Sequence, residues 1–176
     1  RELAESSVTL LKNAGSVLPI TDVDTIAVIG PNASEARIGG GGSSYLEPPY
    51  RISPLDGLQE VFGDDDVTLA YAEGCDNTVE LSNLKSEDNE QLDQAVQLAA
   101  QADVAVIFAG MPRGYESEGH DRPHMRLPGN QDALIQAVVE ANPNTIVVLN
   151  CGAPVEMPWA DAVPGIVLAY YPGQEG

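Results

Sequence analysis

The chain has 176 residues, with 8 Lys or Arg against 27 Asp or Glu, a formal net charge of −19. That length is ample for one domain with a real hydrophobic core, and 43% hydrophobic with 20% charged residues is an ordinary globular composition. The sign balance excludes a protein that tracks a nucleic-acid backbone, because nothing here could release phosphate counterions. Adhesion to an anionic membrane surface is disfavoured for the same reason. The longest apolar runs, such as Ile146–Leu149 and 104–110, are too short to span a bilayer. Arg1 opens into an amphipathic segment without the apolar stretch of a secretory signal, and the compartment stays open. Cys75 and Cys151 make neither a disulfide framework nor a metal knuckle, and read as two small, half-buried residues.

In chain order, the segment 2–12 reads first as a helix, with Leu3, Leu10 and Leu11 on one side. A strand is expected over Thr25–Ile29, followed by the turn Gly30-Pro31-Asn32 and the cluster Gly39-Gly40-Gly41-Gly42-Ser43-Ser44. Ser53, Pro54 and Asp56 carry the signature of a helix start: a cap, a proline in the first turn and an acid three residues after the cap. Further strands are expected over 67–71, 104–109, Thr145–Asn150 and 166–171, and a polar surface loop over 76–89. Helical stripes fall between them at Leu92, Ala95, Val96, Ala99 and at Leu134, Ile135, Val138, Val139. Most of the strands are continuously apolar, as in strands covered on both faces. The pattern is that of an α/β fold, a three-layer sandwich with a mostly parallel sheet covered by helices. A parallel strand normally feeds a covering crossover, so the domain is expected to continue past Gly176.

Ligands of open α/β sheets bind beyond the carboxyl ends of the strands. The glycine cluster invites a phosphate-loop reading, but no Gly-Lys-Ser/Thr follows and no G-x-G-x-x-G opens a helix. It reads instead as a turn needing positive φ or close backbone approach, with room for a neutral polar ligand as the alternative. The densest chemistry follows the strand at 104–109, in Arg113-Gly114-Tyr115-Glu116-Ser117-Glu118-Gly119-His120-Asp121-Arg122. A solvated charged loop is one reading of it; a carboxylate pair doing acid/base work, with Arg122 holding Asp121 ionised, is the other. Pro123 stands between His120 and His124 and argues against a helical metal site.

The stretch Glu116-Ser117-Glu118-Gly119-His120-Asp121-Arg122, with Leu127-Pro128 and Gln131, resembles the acid/base loop of glycoside hydrolase family 3. Other matches run in the same order: Val8 to Asn13 with Leu18-Pro19, Ile26 to Pro31, Gly41 to Ser44, Ser53 to Leu58, Gly152 to Trp159 and Tyr171 to Gly176. The resemblance implies the second, α/β sandwich domain of β-glucosidases, β-xylosidases and related exo-acting enzymes, in which a TIM-type barrel domain supplies an Asp nucleophile. It implies hydrolysis of a terminal β-linked sugar, glucose first, with retained configuration and with no metal or organic cofactor. Carried over residue by residue, Glu116 is the general acid/base and Glu118 the runner-up. Asp121 and Arg122 would brace the loop or contact sugar, as would Ser43 and Ser44. Trp159 offers either a sugar face or a buried packing group, and Glu156 is expected to be structural. No Ser-Asp-Trp occurs in the chain, so the nucleophile is expected on a barrel absent from residues 1–176, and the chain alone is expected to be inactive. The alternatives are a non-catalytic docking module of the same fold and a nucleotide- or phosphate-binding sheet protein.

Overall fold

The computed structural model describes residues 1–63, 66–76, 87–119 and 121–175. Among them, helices α1 (Glu2–Ser7), α2 (Pro54–Phe62), α3 (Glu87–Gln101) and α4 (Gln131–Ala141) alternate with strands. The strands are β1 (Thr9–Asn13), β2 (Thr25–Ile29), β3 (Thr68–Ala72), β4 (Val104–Gly110), β5 (Thr145–Asn150) and β6 (Gly165–Leu168). They form one sheet in the order β1-β6-β5-β4-β2-β3, parallel throughout except for β1, which pairs antiparallel with β6.

Each inner strand divides its side chains between two apolar layers, which is why its run is continuous rather than alternating. Ala27, Ile29, Ala105, Ile107, Val147 and Leu149 pack on one face with Ala95 and Ala99 of α3 and Leu134, Ile135 and Val138 of α4. Ile26, Val28, Val106, Phe108 and Ile146 point to the other face, where Leu55, Leu58 and Phe62 of α2 meet them. The expected three-layer arrangement and both helical stripes are therefore present. α2 starts where its signature places it: Ser53 Oγ accepts from Asp56 N–H at 3.1 Å and Asp56 Oδ2 accepts from Ser53 N–H at 3.1 Å.

Five expectations need correction. The opening helix stops at Ser7, and Thr9–Asn13 is an extended edge strand. Leu10 and Leu11 remain about half exposed there, at 54% and 48%, so no helical face buries them. β3 lies one residue later than expected, and β6 ends at Leu168 because Tyr170 takes a positive φ of 55°. Of the polar loop expected over 76–89, Glu87 onward is already helical, while 77–86 lies outside the described residues, as does His120. Both cysteines are fully buried rather than half-buried.

The connections fix where a site can form. β2 leads outward through α2 to β3, and α3 then carries the chain back across β2 to β4. Strand order thus reverses between β2 and β4, which opens a crevice at their carboxyl ends. Gln131, the first residue of α4 and fully buried, anchors the loop that starts there. Its Oε1 accepts from Gly110 N–H at 2.7 Å, and its Nε2 donates to Gly110 O at 2.9 Å and Pro128 O at 2.8 Å.

Candidate active site

The loop following β4 folds back so that Glu116 meets the chain just beyond β5 and β6. Its Oε2 accepts from Gly152 N–H at 2.6 Å and from the Tyr171 hydroxyl, and its Oε1 accepts from Ala153 N–H at 3.2 Å. Arg122 Nη1 stands 3.4 Å from Oε1, within ion-pair reach but not aligned for a hydrogen bond, and Nη2 donates to Pro154 O at 2.7 Å. Both side chains are well covered, 11% exposed for Glu116 and 13% for Arg122. The Gly152-Ala153-Pro154 turn suits this arrangement: two consecutive amides face the carboxylate, and the proline adds no third donor.

Other sequence candidates are separated from this carboxylate. Glu118 is exposed and its Oε2 accepts from Ser43 N–H at 3.2 Å. Hydrogen bonding from Ser43, side chain before backbone, holds the Glu118 carboxyl below the usual range. Asp121 is exposed, and Arg122 turns away from it toward Glu116 and Pro154. Ser44 Oγ is used within its own loop, donating to Gly41 O at 2.8 Å. The glycine cluster lies directly on the acid loop. A Cβ at Gly40 would come within 2.7 Å of the Glu116 carbonyl oxygen, and one at Gly42, where φ is +67°, within 2.9 Å of Glu118 Cβ. The cluster therefore serves close backbone approach and opens no helix toward a phosphate.

Burial shapes the electrostatics around Glu116. The Tyr171 hydroxyl is pushed far above its ordinary range, first by burial and then by its bond to the carboxylate. The Cys151 thiol is pushed up to about 11 by burial and, secondarily, by the Glu116 charge. Arg37, after β2, is 8% exposed, with Nε donating to Asn32 Oδ1 at 3.0 Å and Nη1 3.2 Å from Glu35. Burial lowers its pKa.

Trp159 is 1% exposed, and its Nε1–H donates to Asp132 Oδ1 at 2.9 Å, so it packs in the core and offers no face to a sugar. Glu156 is exposed and its backbone N–H ties to Met125 O at 2.9 Å. Gln131, Gly152-Ala153 and Tyr171 stand within the stretches of the family resemblance, but residue type does not reveal the contacts they make here, and Arg37 carries no mark at all. Tyr171 had a usable signal, an aromatic with a polar tip directly after the last strand. Backbone amides leave no such mark.

The comparisons with known proteins bear on this geometry. Residues 8–176 match the model of the glycosyl hydrolase family 3 C-terminal domain. The chain belongs to glycosyl hydrolase family 3. It is 45% identical to "Thermostable beta-glucosidase B" of Acetivibrio thermocellus over 99% of this chain and 22% of that protein. A "Beta-xylosidase" of Formosa agariphila is 35% identical over 98% of this chain and 24% of its own length. Among solved structures, a family 3 β-glucosidase of Bifidobacterium adolescentis superposes with a TM-score of 0.83 at 36% identity, covering 98% of this chain and 24% of that one. The family 3 domain described here thus spans about a quarter of the length of these relatives. No helix among the described residues is long and apolar enough to cross a membrane.

Proposed function

We propose that this is the acid/base-bearing domain of a retaining, exo-acting β-glycosidase, with terminal β-linked glucose as the favoured substrate and Glu116 as the general acid/base. The observation that carries the reading is the convergence on Glu116 of segments following β4, β5 and β6, at the sheet edge where α/β ligands bind. Membership of family 3 and relatives named as a β-glucosidase and a β-xylosidase support it. A retaining enzyme needs a second carboxylate about 5–5.5 Å away to attack the anomeric carbon. In this reading an Asp on a TIM-type barrel domain supplies it, and the pocket forms between the two domains. Glu116 protonates the departing glycosidic oxygen and then takes a proton from the water that releases the sugar. No metal or organic cofactor has a part in either step. The isolated chain, lacking a nucleophile, does not turn over substrate.

A second reading has its own observation. All of the polar partners of Glu116 belong to this fold, as in a carboxylate that only anchors a loop, while Glu118 stands exposed on the same loop. In that case Glu118 is the acid. Glu116→Ala and Glu118→Ala, made in the complete enzyme that joins this domain to its barrel, separate the two. Glu116→Ala should lose about 10²–10⁴-fold on aryl β-glucosides with poor leaving groups and little in glycosylation of activated ones. Loss confined to Glu118→Ala would move the role to Glu118.

A further inference from the structure

We infer that Tyr45, with the Arg113 guanidinium over its ring, is a platform for the leaving group of the substrate, and that it selects a flat, apolar, phenolic aglycone. The inference rests on the glycosidase reading above, but not on which of Glu116 and Glu118 is the acid. Tyr45 closes the glycine cluster. It caps the short turn Gly42–Ser44, and its N–H donates to Gly42 O at 3.1 Å. Two residues earlier, Ser43 N–H donates to Glu118 Oε2 at 3.2 Å. The backbones meet here too, since a Cβ at Gly41 would lie 3.5 Å from Gly114 Cα. The ring is therefore carried on the joint that fixes the acid loop.

Two contacts set its orientation. The Arg113 guanidinium carbon stands 4.9 Å from the ring centroid, a cation–π contact. The phenol hydroxyl donates to Glu47 and accepts from Arg51 Nη2 at 3.4 Å, while Arg51 pairs with Glu47 at 2.7 Å. Among the described residues Arg113 pairs with no carboxylate, although the chain carries 27 acids. Its cation serves the ring instead. With its hydroxyl tied and a cation over it, the ring is still 43% exposed, and Leu46 beside it in the chain is 75% exposed. An aromatic group already held in place loses little freedom on meeting a ligand.

The chemistry of the reaction says which part of the substrate meets this ring. A general acid delivers its proton to the glycosidic oxygen, which joins the terminal sugar to the aglycone. In the reading above the terminal sugar lies against the barrel nucleophile, so a surface carried beside the acid loop meets the aglycone. The polar groups of this stretch are spent on one another: the Tyr45 hydroxyl and Arg51 on Glu47, and Ser44 Oγ on Gly41 O at 2.8 Å. A second sugar would find few partners here for its hydroxyls, whereas a phenolic ring needs only the exposed aromatic surface.

The test compares kcat/KM for an aryl β-glucoside, cellobiose and methyl β-glucoside in the complete enzyme that joins this domain to its barrel. Tyr45→Ala should lower the aryl-to-methyl ratio about 3–10-fold and move the cellobiose-to-methyl ratio by less than about twofold. Tyr45→Trp, with a larger face, should raise the aryl-to-methyl ratio, and it reads the same contact if the Ala variant folds badly. Arg113→Gln should lower that ratio by freeing the ring. An unmoved ratio in Tyr45→Ala and Tyr45→Trp would overturn the platform. So would an equal fall on all three substrates with a lower melting temperature, which would make the ring a contact to the barrel. A cellobiose loss as large as the aryl loss would overturn the phenolic preference. Wild-type turnover with unmoved ratios in the variants would defeat this inference alone. Failure of the wild-type enzyme to hydrolyse any β-glycoside would defeat the glycosidase reading and this inference together.

Discussion

Gln131→Ala tests how the site loop is held to the sheet. The side chain is fully buried and makes three hydrogen bonds, two to Gly110 at the end of β4 and one to Pro128. Each contributes about 1 kcal/mol net, and the Gly110 N–H, left buried without its acceptor, adds about 1–3 kcal/mol of lost solvation. A loss of about 4–6 kcal/mol is expected, a large share of the roughly 5–15 kcal/mol that stabilises a typical domain. With a urea slope of about 2 kcal/mol/M, the unfolding midpoint should fall by about 2–3 M. Gln131→Glu sharpens the test. It keeps the acceptor for Gly110 N–H but sets a carboxylate against the Gly110 and Pro128 carbonyls, so it should be severely destabilised at neutral pH. It should recover partly in acid, where the protonated carboxyl can donate again. Urea melts at two pH values read both effects. A loss below about 1 kcal/mol in Gln131→Ala would refute the clamp.

Asp132 is half-buried beside Trp159, and its pKa is raised first by that partial burial, against the opposing Trp159 bond and with Glu156 adding to the rise. Folding therefore strengthens proton binding at Asp132, and wild-type stability declines as pH rises from the ordinary Asp value of about 4 through the raised one. Asp132→Asn, which keeps an acceptor for the indole, should gain stability relative to wild type over that window and hold the difference above it. Ser53→Ala should cost about 1 kcal/mol by thermal melting. The Ser53 hydroxyl and then its backbone N–H hold Asp56 below the usual carboxylate range. That contribution is present above the unfolded value and lost as pH falls through the depressed one, so the gap to the variant should narrow in acid. Gly42→Ala combines a φ of +67° with a Cβ 2.9 Å from Glu118 Cβ. It should cost about 1–2 kcal/mol and lower activity in the complete enzyme; wild-type melting and turnover would contradict the close packing of the two loops.

What the chain reveals about itself in advance follows from how locally each feature is determined. β2 and β5 are buried on both faces, so apart from Thr25, Thr145 and Asn150 at their ends their residues are apolar, and their limits can be read directly from the run. α2 is legible from its cap, because Ser53, Pro54 and Asp56 act within one turn. β1 is not, since Thr9–Asn13 is extended only because β6 offers it an open edge, a partner more than 150 residues away in sequence. The candidate site divides in the same way. The acid loop and the glycine cluster are visible as composition and as a family resemblance. Their meeting, glycine backbone against the Glu116 carbonyl, is a property of the sheet order. The expectation that Arg122 serves its neighbour Asp121 fails for that reason: chain proximity suggests the pair, but the fold brings Glu116 and Pro154 to the guanidinium. Trp159 shows the opposite limit, an aromatic whose burial depends on Asp132 being within reach of its indole N–H.

The acid/base assignment is tested most directly by the anomeric configuration of the product that azide forms with Glu116→Ala in the complete enzyme. With the acid/base side chain removed and the nucleophile intact, azide enters the vacated space and attacks the glycosyl-enzyme from the face the leaving group left. The account predicts restored turnover of an activated β-glucoside and a β-glucosyl azide by proton NMR. An α-glucosyl azide would make Glu116 the nucleophile, and the absence of any azide product would return it to a loop anchor.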